Sequence, residues 1–323
     1  MKKAVKIWLI TASVLILTGF MIFWSVLTML KWDFSKLITS KYETSEHTVS
    51  ESFESISVVT KTADVDILPS DSTECKVILR DQKKLYHELS VNDGVLTVKL
   101  IDTRKWYEVI GINVGSQKIT IYVPEGEYAS LSLKGSTGDV KISEMIGFDA
   151  INVALSTGDT LIEKSASASL SVKSSTGDIE LTNSSAGDLS LSLSTGDIHA
   201  QNVQCEGDVS VKLTTGDTSF DTLNCKSLIS NGSTGSIKLK NALVAEKLSV
   251  ERSTGDVKLE ECDAGELEIK TDTGNVKASL LSDKIFITSS STGKISVPES
   301  LTGGVCKVKT DTGDIKISII QKQ

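Results

Sequence analysis

Apolar and polar positions follow two different rules along this chain. From Ile7 to Leu30 there are 24 residues without a charge, preceded by Lys2, Lys3 and Lys6. A spanning helix needs about 20 apolar residues, and a secretory signal core is shorter, about 7–15. No small-x-small cleavage site closes the stretch. It is expected to be an uncleaved membrane helix, with Trp8, Trp24 and Trp32 toward the interfaces. The flanking lysines place residues 1–6 in the cytoplasm and the rest outside, although Lys31, Lys36 and Lys41 follow the span. A long signal peptide is the alternative. Residues 31–48 are polar and unpatterned and are expected to be a linker.

Beyond residue 49 the rule changes to short alternating segments. Thr-Gly recurs with Gly at 138, 158, 177, 196, 216, 235, 255, 274, 293 and 313, spaced by 19 or 20 residues. A period near twenty indicates a solenoid. Aligning the copies on the glycine produces apolar columns. Seven residues before it stand Leu131, Ile151, Leu170, Leu189, Val209, Leu228, Leu248, Leu267, Phe286 and Cys306. Further apolar columns lie five before, two after and four after, such as Leu191, Ile198 and Ala200 around Gly196. Each copy is therefore expected to form two short strands, one on each side of a turn.

One such copy cannot bury its apolar face alone, but copies stacked about 4.8 Å apart can. The expected fold is an all-β, right-handed parallel β-solenoid of about ten regular rungs at 131–323, entered through an irregular β region at 49–130. In the repeated triplets Thr137-Gly138-Asp139, Thr157-Gly158-Asp159, Thr176-Gly177-Asp178 and Thr195-Gly196-Asp197 the glycine supplies a positive-φ corner. Strand parity predicts that the threonine turns inward. The aspartate is expected to point outward and accept turn N–H groups.

Composition narrows the function. The net charge is −8, and beyond residue 30 it is −11, from 31 basic and 42 acidic residues. Nucleic-acid binding needs basic patches, so it is not expected.

The stretches "FESISVVTKTADVDILPSD" (53–71) and "KITIYVPEGEYASLSLKGSTGDVKI" (118–142), followed by serial Ser-Thr-Gly-Asp rungs, resemble the DUF4097 family, also labelled a "putative adhesin" family. The resemblance covers roughly residues 50–323. It implies a bacterial, membrane-anchored β-repeat protein associated with the cell envelope, and no catalytic residues to carry over.

Candidate chemistry is sparse. Stacked aspartates could bind Ca²⁺, but one carboxylate per rung supplies few of the 6–8 oxygens the ion takes, and Lys294 stands in the same column. Capping with solvated charges is the expected role. An ice-binding face would need a flat exposed hydroxyl array, which inward threonines would not provide. A polysaccharide-acting enzyme would need a break in the rungs with clustered acids and cations, and none is visible. His47, His87 and His199 are expected to be solvated, with no metal site and no cofactor. The five cysteines show no framework spacing. Cys205 and Cys225, one rung apart, are either buried thiols or a disulfide.

The insertion "DTRKWYEVIGINVG" (102–115) is either a cap or, through Trp106 and Tyr107, a partner contact. The C-terminal strand ends on Ile319 and Ile320 with nothing after it to cover the last rung, so this edge is expected to add a strand from another copy or a partner. The functional expectation is a non-enzymatic adhesin or surface scaffold that contacts an unknown protein or surface glycan. An accessory sensor of envelope stress and a polysaccharide-acting enzyme are the alternatives.

Overall fold

The computed structural model describes residues 3–29, 31–32, 41–106, 108, 115–145 and 147–320; Leu30, Tyr107, Val109 and Ile110 fall outside the described residues. One α-helix, Lys3–Met29, precedes 24 strands. The helix begins at Lys3 rather than Ile7 because lysine favours helix as well as most apolar residues do. It is long and apolar enough to cross a membrane. Its threonines hide their hydroxyls by bonding back one turn, Thr18 to the Val14 carbonyl at 2.7 Å and Thr11 to that of Ile7 at 3.0 Å. It ends where Lys31 and Trp32 take φ of 54° and 62°. The Trp32 N–H then donates to the Leu27 carbonyl, and its ring meets Trp24 edge-on at 5.4 Å.

The segment read as a linker is partly structured. Tyr42–Val49 forms a strand antiparallel to Cys75–Gln82, in register from Tyr42 opposite Gln82 to Val49 opposite Cys75. Cys75–Gln82 also runs antiparallel to Gln117–Val123, and Leu85–Asn92 to Val95–Asp102. These strands close the N-terminal end of the stack. Beyond them the strands pair in parallel, beginning with Ser55–Val59 on Tyr128–Thr137 and Ala63–Pro69 on Val140–Ser143.

From there the chain is a parallel β-solenoid of about nine turns. Like columns stack in register, as in Leu170–Leu189–Val209 and Val172–Leu191–Val211. One buried apolar cluster runs from Val49 to Ile317. Each coil has three short sides rather than two. Around Gly196, Leu189, Leu191 and Leu193 face inward, Ile198 and Ala200 line a second side, and Val203 and Cys205 a third. The extra bend lies six residues after each of the first seven glycines. There Glu144, Lys164, Asn183, Asn202, Thr222, Asn241 and Glu261 hold φ between 49° and 66°. Of these residue types only asparagine is at ease in that region, and no glycine marks this corner in the sequence.

The same detail corrects the orientation of the threonines. Thr137, Thr157, Thr176, Thr195 and the six that follow are all exposed. Alternation holds from seven to three residues before the glycine, then breaks as the chain bends, so that both Ser194 and Thr195 lie outside the corner. The inward position belongs to the residue three before the glycine, held by Leu155, Ser174, Leu193, Leu213, Arg252, Thr271 and Thr310. The exposed threonines form a single file along a bend, not a flat array.

Arg252 in that inward column is a fully buried guanidinium. It donates to the Ser230 hydroxyl at 2.9 Å, to the Glu251 carbonyl at 2.9 Å and to the Ser230 carbonyl at 3.2 Å. Burial pushes it down to about 10 from its ordinary 12.5. Gly232, one coil earlier in the column, makes the room: a Cβ there would lie 2.9 Å from Arg252 Nη1.

The last two coils are out of chain order. Gly304–Thr312 pairs with Val257–Thr273 on one side and with Lys284–Thr292 on the other. Likewise Ile315–Ile319 lies between Val276–Leu280 and Ile295–Ser296. The final stretch of chain is thus inserted between its two predecessors. Its core residues Cys306, Val308, Ile315 and Ile317 are all buried, whereas Ile295 of the displaced coil is 44% exposed. The inserted strand also matches charge, Lys307 Nζ lying 3.4 Å from Glu268 Oε1. The outermost long strand is therefore Lys284–Thr292. Ile319 pairs with Leu280 on one side, while on the other the short strand Ile295–Ser296 reaches only Ile315 and Lys316.

Two substitutions test the corner and the core. Gly196 has φ of 130°, and a Cβ there would come within 2.0 Å of the Gly177 carbonyl oxygen. Gly196→Val is expected to cost more than about 3 kcal/mol, and exposed Ser194→Val less than about 0.5 kcal/mol, by thermal denaturation. The Thr160 hydroxyl is buried without a partner, between Val140 and Ile179 of the adjacent coils. Thr160→Val should raise stability by about 1 kcal/mol, and a lower melting temperature would contradict this environment.

Candidate functional site

The repeated triplets build the backbone ladder. All ten Thr-Gly glycines hold φ between 121° and 156°. The Gly177 N–H donates to the Thr195 carbonyl at 3.1 Å and that of Gly196 to Thr215 at 3.1 Å. Each aspartate reaches the next coil rather than its own turn. Asp139 accepts from the Asp159 N–H at 2.9 Å, Asp159 from Asp178 at 2.8 Å, Asp178 from Asp197 at 2.8 Å, and Asp197 from Asp217 at 2.7 Å. Lys294 closes this file: its N–H donates to Asp314 at 2.8 Å, and insertion of the last coil makes it the terminal member. One oxygen of each carboxylate is thus already engaged by a backbone donor. Among the described residues no group of three or more His, Cys, Asp or Glu side chains is placed to hold a metal ion.

The third corner of the coil is where a groove opens. Its origin is a stacked column that shrinks along the axis. Tyr128 lies on Phe148, Phe148 on Ser167, and Ser167 on Ala186. At the wide end the rings of Phe53, Tyr128 and Phe148 stack at 5.7 and 4.9 Å between centroids. Where the column falls to serine and alanine, a groove of about 780 Å³ appears, floored by Gly147, Ala166, Ala168 and Gly187. Its exposed rim carries Glu54, Glu127, Asp149, Gln204 and Glu206, and among the described residues no lysine, arginine or histidine lines it. At Glu206 it continues into a second hollow of about 730 Å³, which reaches Lys226, Asp263 and Lys284. Such a surface offers hydrogen-bond acceptors in a row, suited to a chain rich in donors. The acids come from distant parts of the sequence, so no local motif marks them.

A second constellation escaped the sequence reading altogether. His87 is buried, not solvated. Its Nδ1 lies 2.8 Å from Asp81 Oδ1, and its Nε2 lies 3.0 Å from the Thr60 hydroxyl. Its backbone N–H donates to Asp81 Oδ2 at 2.7 Å, and Gln117 Nε2 donates to Asp81 Oδ1 at 2.7 Å. With Nδ1–H donating to the carboxylate, Nε2 accepts the Thr60 proton. This hydroxyl–imidazole–carboxylate line resembles the order in nucleophilic hydrolases. However, Thr60, Asp81, His87 and Gln117 are all buried, and of the four it is Gln117 that borders a surface hollow, beside Tyr42 and Arg104. The network ties together the strands that close the N-terminal end. The other two histidines, His47 and His199, are exposed.

All five cysteines are free and buried, including Cys205 and Cys225. Burial pushes the Cys205 thiol up to about 11 and that of Cys225 to about 12. Trp106 is 79% exposed, and its neighbour Tyr107 lies outside the described residues.

A family model described as Toastrack DUF4097 matches residues 53–210 and 206–323. The two matches tile the solenoid end to end, yet one core runs through both. Among solved structures, a "putative adhesin" from Parabacteroides distasonis is 11% identical, covers 86% of this chain and 98% of its own, and superposes with a TM-score of 0.51. A "putative lipid binding protein" from the same organism is 15% identical over 88% of this chain and 98% of its own, with a TM-score of 0.43. A "putative adhesin" from Bacteroides fragilis is 16% identical over 86% and 97%, with a TM-score of 0.40. The first of these shares the fold. No curated protein matches the chain.

The buried network is expected to act on stability alone. His87→Ala strands the Thr60 hydroxyl and removes the Nδ1 donor from Asp81, the backbone N–H remaining. It should cost about 2–4 kcal/mol in urea denaturation, and Thr60→Val clearly less. Equal and negligible losses would contradict the clamp.

Proposed function

The chain belongs to the Toastrack DUF4097 family, and from that membership, the apolar helix and the corner groove we propose that it is a membrane-tethered, extracytoplasmic adhesive protein that binds without catalysis. The carrying observation is the groove: an acceptor-lined trough along the coil axis, onto which no histidine, cysteine nucleophile or cation opens at its acidic end. The repeated side chains are occupied in holding coil to coil, and the triad-like line at His87 is buried. What remains available to a partner is surface. The clustered acids support a linear ligand rich in hydroxyl or ammonium donors, of which a surface glycan is the extracytoplasmic example. The description of one structural neighbour as an adhesin agrees with this reading.

Two measurements test it. Protease added to intact cells should remove an epitope placed after residue 320, while a fragment containing Lys3–Met29 stays in the membrane. Vesicles bearing the full chain should be retained on isolated cell-wall glycan. The pair Glu127→Gln and Asp149→Asn should lower retention at least fivefold with no change in melting temperature. Retention indifferent to that pair, or glycan cleavage by the full chain, would overturn the proposal.

A further inference from the structure

The two ends of the solenoid are finished differently. At the N-terminal end the outer strand Tyr42–Val49 is antiparallel to its neighbour and presents Glu43, Glu46 and His47 to solvent. At the other end Lys284–Thr292 pairs on one side with Gly304–Thr312, and among the described residues no strand pairs with its other side. Edge strands are ordinarily guarded by exposed charge, proline or a bulge. This one has none on the strand itself. Its single charged residue, Lys284, is turned in and held by Asp263 at 2.7 Å. Its outward residues are Ile285, Ile287 and Ser289; the last two stand where the next two coils carry Lys307 and Lys309, then Glu268 and Lys270. Ile285 is 40% and Ile287 55% exposed.

We propose that two copies of the chain join tail to tail, the strand Lys284–Thr292 of one pairing antiparallel with the same strand of the other about a twofold axis. A twofold pairing is the one in which an unguarded edge meets an identical unguarded edge and the assembly closes. The alternative, tail onto head, would bring the strand against the charged Tyr42–Val49 and would propagate into a fibre. In an antiparallel pairing centred on Thr288 the strand's one charge, the inward-turned Lys284, falls opposite Thr292 and Phe286 opposite Ser290, so no like charges oppose the pairing. The unpaired N–H and C=O groups supply the hydrogen bonds, and Ile285 and Ile287 supply the apolar contact. Joined in this way, the two chains enter their solenoids at opposite ends of the dimer. Resting on the adhesive reading above, the pair would link two membranes that face each other.

The test uses the full chain in detergent micelles and in vesicles. Light scattering of the micellar protein should show a concentration-dependent dimer. Ile287→Lys, and separately Ile285→Glu, should weaken it at least tenfold with unchanged melting temperature. Ile229→Lys, an equally exposed isoleucine on the flank of the solenoid, should leave it intact. A monomer at all concentrations, or a dimer that ignores both edge variants or loses equally to Ile229→Lys, would overturn the interface. Donor- and acceptor-labelled vesicles bearing the chain should cluster, and the edge variants should not. Dimers without clustering would uphold the interface and overturn the adhesive reading.

Discussion

No coil of this solenoid can satisfy its own backbone. Every N–H and C=O on its sides points along the axis, and the partner groups belong to the coils above and below. The whole molecule follows from that constraint. It explains why the corner glycines must be glycines: each lies under a backbone carbonyl of the adjacent coil, about 2 Å from where a Cβ would be. It explains why the aspartates reach outward along the axis, each taking the one N–H per corner that the strands leave over. It also makes the ends the chemically unusual places, since there the ladder has nothing further to bond.

The chain treats its ends in opposite ways. The N-terminal end is turned over into antiparallel strands and pinned by a buried polar network centred on His87, with a charged strand outermost. The C-terminal end is reinforced from within. The last segment slides between the two coils before it, which places its own apolar residues in the core and pushes to the outside a strand whose one charge, Lys284, is turned inward. A buried arginine beneath a glycine notch shows the same economy inside the stack, where one missing side chain accommodates one large polar one.

Function follows from what this framework leaves free. The corners are occupied by hydrogen bonds, the core by aliphatic columns, and the potentially reactive histidine by its neighbours. The groove exists because one stacked column steps from aromatic rings to serine and alanine, and its acids are brought to the rim by coils far apart in sequence. A long trough and an unguarded end suit a protein whose work is contact.

The sequence by itself determined the repeat, the columns and the stacking. Spacing of 19 to 20 residues with aliphatic side chains at fixed offsets has one economical solution, and Leu189, Leu191 and Ile198 are buried where the pattern places them. The apolar helix was equally legible, because length and hydropathy are local quantities. Three features were decided only by the tertiary structure. The second corner rests on Asn202 and its counterparts, whose positive φ is imposed by the coils that stack on it and not by residue type. The threonines turned outward because the chain bends two residues before strand parity allows for it. The order of the last two coils escaped because periodicity states that coils pair in register but not which coil lies beside which. That choice was made by burial and charge between strands far apart in the chain, Cys306 and Val308 in the core and Lys307 beside Glu268.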